Sequence, residues 1–206
     1  MSTFESVAAV MALTGAAIFA AGVIVILVAA QRRPYNAELA PIKGSPAKGV
    51  LWAFTLGLAP WAKESVRIHW IAYIRGVIFH LGIFLGAAYL IATPWLAQMP
   101  ESLRLSLAAL FGIGALLGLA GFWIRTSAPV MKVLSTPDDY FALALTTLFL
   151  ASASISAYAI DYLSAFWAIS GITMAYVPFG KLRHFIYFFY VRVFLGLTFG
   201  RRSVLE

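Results

Sequence analysis

Residues 6–31 read SVAAVMALTGAAIFAAGVIVILVAAQ and contain no acidic or basic side chain. A helix of 26 residues is long enough to cross the roughly 30 Å hydrocarbon core of a bilayer at about 1.5 Å per residue. Four further uncharged runs have 25, 20, 21 and 19 residues, at 76–100, 105–124, 140–160 and 162–180. The sequence predicts an all-α integral membrane protein, a bundle of five transmembrane helices over about 6–31, 72–96, 105–125, 140–160 and 162–184.

The composition of the whole chain agrees with this prediction. Of the 206 residues, 62% are hydrophobic and 11% are charged, and the mean hydropathy is +0.90, which excludes a soluble globular fold. The chain has no cysteine, so disulfides, thiolate ligation of iron–sulfur clusters and thioether attachment of haem are excluded as well. We expect a single membrane domain over residues 1–206 in which any redox cofactor is held by other side chains.

The basic residues lie at the ends of the apolar runs and indicate the direction of the chain. Arg104 is the one basic residue predicted between spans on the outer side. Thirteen others fall on the opposite side: Arg32, Arg33, Lys43, Lys48, Lys63, Arg67, Arg125, Lys132, Lys181, Arg183, Arg192, Arg201 and Arg202. The N-terminus is therefore predicted outside and the C-terminus, with a tail over 190–206, in the cytoplasm. The net charge of +7 thus reflects topology and not a surface that binds nucleic acid.

The loop over 32–67 is the one sizeable segment between predicted spans. Within it, the 14 residues 49–62 carry no charge and include Trp52 and Trp61. This stretch is too short to cross a bilayer and too apolar for a free loop. We expect an amphipathic segment that lies in the cytoplasmic interface, with a docking surface for a partner subunit as the alternative.

Two histidines fall inside predicted spans, where ionisable groups are costly and indicate function. His80 lies in the second span, and His184 lies near the end of the fifth, which runs in the opposite direction. Both are therefore expected on the cytoplasmic side of the bilayer midplane. Two such histidines can hold one haem b, each giving a neutral imidazole nitrogen to the iron. The alternative is a pair of buried histidines that are hydrogen-bonded to neighbouring groups.

Each of these histidines follows a glycine by four residues, Gly76 and Gly180. A helical side chain leans over the preceding turn, so a missing side chain there leaves space for a flat porphyrin; close helix packing is the alternative use of glycine. His69 could be a ligand, a propionate partner, a proton-handling group at a quinone pocket or a surface residue. Because the chain has three histidines, it can build at most one haem site with two histidine ligands.

Charged residues near the spans have two interpretations. Basic side chains beside the histidines could pair with haem propionates, or they could anchor the helix ends at the lipid headgroups. These residues are Arg75, Lys181, Arg183 and Arg192. The acidic pair at 138–139 indicates the N-terminus of the fourth helix and is assigned no chemistry.

Two strings of residues carry a family resemblance. Residues 78–82 read IFHLG and residues 178–184 read PFGKLRH. With five spans and an external N-terminus, they resemble the haem b gamma subunit of membrane-bound respiratory nitrate reductase, a type of subunit that also occurs in complexes related to heterodisulfide reductase and sulfite reduction. The resemblance covers essentially the whole chain and implies that His80 and His184 are the axial ligands of a haem b.

In the nitrate reductase subunit, a second haem is ligated by histidines ten residues after the first motif's histidine and eighteen before the second's, positions that are Leu90 and Phe166 here. The resemblance therefore implies that only the haem nearer the cytoplasm is present. It also puts in doubt an electron path through haem across the full membrane.

The expected function is that of a membrane cytochrome b subunit of a multi-subunit oxidoreductase in the bacterial or archaeal cytoplasmic membrane. It would pass electrons between menaquinone or ubiquinone and a cytoplasm-facing iron–sulfur protein, with or without a flavin. The chain is not expected to be catalytic alone, except at a quinone site. Membrane lipid is an expected partner and nucleic acid is not. The competing expectation is a non-redox membrane anchor or small transporter subunit without haem.

Overall fold

The computed structural model describes residues 3–32, 41–62 and 64–204, and the regular structure in these ranges is entirely helical. Five of the described helices are long and apolar enough to cross a membrane: Thr3–Gln31, Trp70–Gln98, Glu101–Ser127, Pro137–Tyr158 and Lys181–Arg201. This confirms the prediction of an all-α chain with five such helices. It is the helix content of a multi-pass membrane protein. The direction of the helices stays a prediction.

Nine α-helices occur within the described ranges: α1 (Thr3–Gln31), α2 (Pro46–Phe54), α3 (Glu64–Ile68), α4 (Trp70–Ala92), α5 (Glu101–Ser127), α6 (Pro129–Leu134), α7 (Pro137–Tyr158), α8 (Leu163–Tyr176) and α9 (His184–Arg201). Short 3₁₀ turns lie at Leu56–Leu58, Pro60–Ala62, Thr93–Gln98, Ile160–Tyr162 and Lys181–Arg183. A proline begins α2, α6 and α7. At this position the missing N–H removes no hydrogen bond from the helix.

The fifth long helix lies later in the chain than the sequence predicted. The predicted span over 162–184 contains α8, which has 14 residues and is about 21 Å long. Pro178 cannot donate an N–H to continue α8, and the amides of Phe179 and Gly180 both donate to the carbonyl of Tyr176 at 3.1 Å. After this turn, α9 runs to Arg201 and occupies most of the tail predicted over 190–206.

The described residues form two compact units. The first comprises Met1–Gly22 and Ile74–Leu182, and the second comprises Val23–Tyr73 and Arg183–Glu206. The single membrane domain over 1–206 stays a prediction, and each unit has its own packing.

The core of the first unit lies between α4, α5, α7 and α8. Phe111 and Phe166 are fully buried there, and α4 presents Gly82 and Gly86 to this core. A Cβ atom at Gly86 would lie 2.7 Å from Cε1 of Phe149. Small residues thus let these helices approach closely, as is common in membrane proteins.

The second unit is built on α2, which packs antiparallel to α9. A Cβ at Gly49 would lie 2.5 Å from Cα of Gly200, and a Cβ at Gly196 would lie 2.6 Å from Cα of Val50. The two backbones are therefore in direct contact, and neither position can hold a larger residue without movement.

The guanidinium group of Arg192 on α9 contacts the chain near the C-terminus of α2. Arg192 Nη1 donates to the carbonyl oxygen of Ala53 at 3.1 Å and to that of Gly57 at 3.5 Å. The same group lies 5.4 Å from the ring centroid of Phe188, within cation–π range. Arg192 thus donates to one carbonyl group in the last turn of α2 and to one in the 3₁₀ turn that follows, which explains how α9 can carry a charge near its middle.

The amphipathic segment predicted over 49–62 is helical only in part. Its helical part is α2, which ends at Phe54, and two 3₁₀ turns follow. The described surface of this segment still exposes Leu51, Leu56 and Trp61. Its location in the membrane interface stays a prediction.

Candidate functional site

His80 lies on α4, about 15 Å along the helix from Trp70. Its Nδ1 is 2.7 Å from the carbonyl oxygen of Gly76. Because a carbonyl oxygen can only accept, Nδ1 carries the proton of this hydrogen bond. In the neutral ring the lone pair is then on Nε2, and this is the arrangement in which histidines bind metals while donating their other N–H to a backbone carbonyl.

His80 and Gly76 lie on the face of α4 that points away from the core of the first unit. The buried residues of α4 are Gly82, Gly86 and Tyr89, and His80 is about 200° around the helix from Gly82. The side chain of His80 is accordingly exposed. A Cβ built at Gly76 would meet no described atom within 4 Å, so this face can accept a flat group beside the imidazole.

These observations fit one axial ligand of a haem. A ligating imidazole must be neutral and must present one nitrogen to the iron, and the hydrogen bond to Gly76 holds the ring of His80 in such a tautomer. The space beside Gly76 would leave room for a porphyrin, and Gly76 as a porphyrin contact stays a prediction. An ionisable side chain on a membrane-spanning helix is rare and indicates function.

His184 is the first residue of α9, and its side chain is exposed. Arg183 precedes it as the N-cap residue of α9 and is exposed too. The predicted site residues are divided between the two units. Arg75, Gly76, His80 and Gly180 belong to the first unit, and His69, Arg183 and His184 belong to the second.

The surroundings of Gly180 differ from those of Gly76, because a side chain of the protein lies where a Cβ atom at Gly180 would be. The phenol ring of Tyr176 packs against Gly180, where a Cβ would collide with the ring. The Tyr176 hydroxyl donates to the carboxylate of Asp138 at the start of α7. Gly180 as a porphyrin contact stays a prediction, and the contact with Tyr176 is a separate physical reason for a glycine at this position.

The acidic pair at the start of α7 has contacts beyond helix capping. Asp139 accepts hydrogen bonds from the N–H and the hydroxyl of Thr136, at 2.9 and 2.8 Å, so Thr136 is the N-cap residue. Lys181 Nζ lies 3.4 Å from the other oxygen of Asp139. Together with the bond from Tyr176 to Asp138, this ion pair ties the turn that precedes α9 to α7.

Sequence reasoning missed these two contacts. Tyr176 and Asp138 are 38 residues apart, and no local pattern in the sequence relates them. The only signal was the acidic pair itself, which is sufficiently explained by the helix N-terminus. The contacts depend on how α7 and α8 pack.

Two remaining candidates lie at the start of α4. His69 is an exposed turn residue between α3 and α4, and its carbonyl oxygen accepts the N–H of Tyr73 at 3.0 Å. Arg75 is half-buried on α4. Their roles at a haem or quinone stay predictions.

The two positions that correspond to the second haem's ligands in the nitrate reductase subunit, Leu90 and Phe166, are packed with protein. Phe166 is fully buried, with 0% of its surface exposed. Its ring centroid is 5.4 Å from that of Tyr89 and 5.6 Å from that of Phe149. Leu90 is partly buried and packs against the same hydrophobic cluster. Large apolar side chains therefore fill this part of the first unit.

Within the described ranges, no group of three or more His, Asp or Glu side chains could hold a bare metal ion. Comparisons of the chain with protein-family models, with curated proteins and with solved structures found no significant match.

Proposed function

We propose that this protein is a membrane cytochrome b subunit of a multi-subunit oxidoreductase, with His80 and His184 as the axial ligands of a single haem b. It exchanges electrons between menaquinone or ubiquinone and an iron–sulfur protein on the cytoplasmic side. Its location is the bacterial or archaeal cytoplasmic membrane.

The observation that carries this proposal is the state of His80. His80 lies on an apolar helix of membrane-spanning length. Its imidazole is exposed on the face of that helix that points away from the core, and its Nδ1–H donates to the carbonyl oxygen of Gly76. Ionisable side chains in membrane-spanning helices are rare and indicate function. A haem iron is a suitable partner, because Nε2 of this tautomer is a good ligand. A membrane anchor or transporter subunit gives no comparable reason for a histidine at this position.

The packing at Phe166 supports the count of one haem. The chain has three histidines, and the positions of the second ligand pair are Leu90 and the buried Phe166. The proposal therefore places one haem in each chain and requires that partner subunits carry the electrons further. Because this chain has no cysteine, iron–sulfur centres with thiolate ligands must belong to those partners.

The residues of this chain have defined tasks in the proposal. His80 and His184 would each give a ring nitrogen to the haem iron, and a haem held by two histidines would supply electron transfer and not oxygen binding. The carbonyl of Gly76 orients the ring of His80. Arg75 and Arg183 offer positive charge to the haem propionates.

The test is the haem content of the purified full-length protein and of single variants made in haem-replete cells. We expect about one haem b per chain, measured by pyridine haemochrome, with b-type bands after dithionite reduction. His80→Ala and His184→Ala should each remove the haem, while the control variant His69→Ala should retain it.

Three outcomes contradict parts of the proposal. Wild-type protein without b-type bands would favour the anchor or transporter alternative. Full haem content in His80→Ala or His184→Ala would mean that the ligands are other residues. Two haems per chain would contradict the claim that no second haem binds where Leu90 and Phe166 lie.

A further inference from the structure

The packing of α2 against α9 gathers basic residues at one end of the pair. The N–H groups of Lys43 and Gly44 both donate to the carbonyl oxygen of Arg201 at 3.0 Å. Beside this contact, a Cβ at Gly200 would lie 2.6 Å from the carbonyl oxygen of Ser45. The end at which α2 begins and α9 stops is therefore one continuous piece of structure. Its four basic residues, here called the basic end, are Lys43, Lys48, Arg201 and Arg202.

The charge balance of the second unit is strongly positive. Among its described residues, eight are basic: Arg32, Lys43, Lys48, Arg67, Arg183, Arg192, Arg201 and Arg202. The one described acidic residue is Glu64 on α3, a helix that packs beside Pro60–Ala62. Lys43, Lys48 and Arg202 are exposed. The basic end therefore attracts anions.

Apolar side chains alternate with these cations. Ile42 precedes Lys43 and is 62% exposed, and Val204 follows Arg202 and Ser203 and is also 62% exposed. Leu51, one turn beyond Lys48 on α2, is 66% exposed. A free phosphate or a nucleic acid would use the cations and leave these apolar groups in water. A phospholipid uses both, because its phosphate meets the cations and its acyl chains meet the apolar groups.

We propose that the basic end of the α2–α9 pair binds the headgroup of an anionic phospholipid. The phosphate lies at Lys43, Lys48 and Arg202, and the acyl chains run beside Ile42 and Val204. α9 lies within one of the five helices that are long and apolar enough to cross a membrane. The end of such a helix would lie at the depth of the lipid headgroups. This site is independent of the haem and of the proposed redox function.

The glycine contacts make the basic end a preformed site. Because the backbones of α2 and α9 touch at Gly49, Gly196 and Gly200, the first turn of α2 is held against the last turn of α9. The cations therefore keep their spacing before the lipid arrives, which lowers the entropic cost of binding.

Binding is measured by native mass spectrometry of the full-length protein in neutral detergent, titrated with phosphatidylglycerol or with phosphatidylcholine. We expect retained phosphatidylglycerol and little phosphatidylcholine. A cation near a membrane surface contributes about 1 kcal/mol to anionic lipid binding, so Lys43→Gln with Lys48→Gln should weaken phosphatidylglycerol binding about 30-fold. The charge-preserving pair Lys43→Arg with Lys48→Arg should bind like the wild type.

The matched control removes two charges elsewhere. Arg104→Gln with Lys132→Gln changes the first unit by the same net charge and should leave lipid binding unchanged. Equal loss in this control would mean that net charge and not the basic end binds the lipid, which would overturn the proposal. Equal retention of the two lipids by the wild type, or unchanged binding in the Lys43 and Lys48 glutamine pair, would overturn it too.

Two measurements on the wild type do not depend on the folding of any variant. Raising the salt concentration from about 0.05 to 0.5 M should weaken phosphatidylglycerol binding, since exposed charges are screened over a few ångströms at high salt. Millimolar inorganic phosphate should not displace the lipid. Displacement by phosphate would indicate a site for the free anion, and indifference to salt would exclude an electrostatic headgroup site; either result contradicts the proposal.

Discussion

The ring of Phe166 on α8 packs against the ring of Tyr89 on α4, with 5.4 Å between the ring centroids and an angle of 44° between the planes. The angle and distance are those of a favourable aromatic pair. Phe166 is also 5.6 Å from Phe149, so one side chain joins three helices of the first unit. Phe166 is thus a central part of the hydrophobic core of the first unit.

Phe166→Ala should destabilise the protein markedly. In a bilayer or micelle the transfer of the side chain from water is not the main cost, but the cavity remains, and roughly 100 Å³ of lost volume corresponds to about 2 kcal/mol. The apparent melting temperature in detergent measures the loss. Ile172→Ala on the same helix is the control, because Ile172 is 46% exposed and should change the melting temperature little. Equal effects of the two substitutions would argue against the central position of Phe166.

Four of the five long helices were predictable because each contains an uncharged run of membrane-spanning length. The end of α8 at Tyr176 was not predictable, although the sequence has a proline two residues later, at Pro178. A proline can kink a helix or end it, and the choice depends on contacts of Tyr176 that lie far away in the sequence. The sequence did not indicate a long α9 either, because the helix contains the charged Arg192. The carbonyl groups that bind this side chain, those of Ala53 and Gly57, belong to another segment of the chain.

At the candidate site, the sequence could predict how Gly76 and His80 are placed on one helix but not what surrounds Gly180. The spacing of Gly76 and His80 follows from the geometry of one helix, and the structure shows a hydrogen bond and open space at these residues. The same spacing before His184 spans the turn at 177–180 and the 3₁₀ turn Lys181–Arg183. Helical periodicity does not apply across such turns. For this reason Gly180 has surroundings unlike those of Gly76.

Gly76→Leu should lower the haem content and leave the fold intact. No described atom lies within 4 Å of a Cβ at this position, and leucine favours the helix over glycine by up to about 1 kcal/mol. A porphyrin beside His80 would collide with the new side chain. The measurement is the haem-to-protein ratio together with the melting temperature of the protein prepared without haem.

The smaller substitution Gly76→Ala serves as the control for this effect. It adds one methyl group and should retain more haem than Gly76→Leu. If Gly76→Leu binds haem as fully as the wild type, the porphyrin does not lie over Gly76.

Tyr176→Phe should reveal the value of the contact between α8 and α7. The substitution keeps the ring that packs on Gly180 and removes the hydroxyl that donates to Asp138. A hydrogen bond to a charged group contributes about 2 kcal/mol, and its loss leaves the carboxylate with one donor fewer. We expect a lower apparent melting temperature in detergent.

Tyr158→Phe is the matched control for the loss of a hydroxyl, since Tyr158 is 72% exposed. This variant should melt like the wild type.

The ion pair between Lys181 and Asp139 should contribute less than the Tyr176 contact, because the Lys181 side chain is 51% exposed and exposed pairs contribute about 0–1 kcal/mol. A larger loss of stability in Lys181→Gln than in Tyr176→Phe would contradict this ranking.

Gly196→Ala should separate α2 from α9. Its new Cβ would lie 2.6 Å from Cα of Val50 and 2.9 Å from the carbonyl oxygen of Gly49, so the backbones must move apart by about 1 Å. Overpacking of this kind costs about 2 kcal/mol, equivalent to a roughly 30-fold larger equilibrium constant for opening of the contact. Hydrogen–deuterium exchange of the α2 amides measures the opening. The control is Gly121→Ala on α5, where the nearest atom, Cδ2 of Leu143, would be 3.6 Å from the Cβ. Unchanged exchange in α2 of the Gly196 variant would show that the glycine contact does not hold α2 in place, and would remove the structural basis for a preformed basic end.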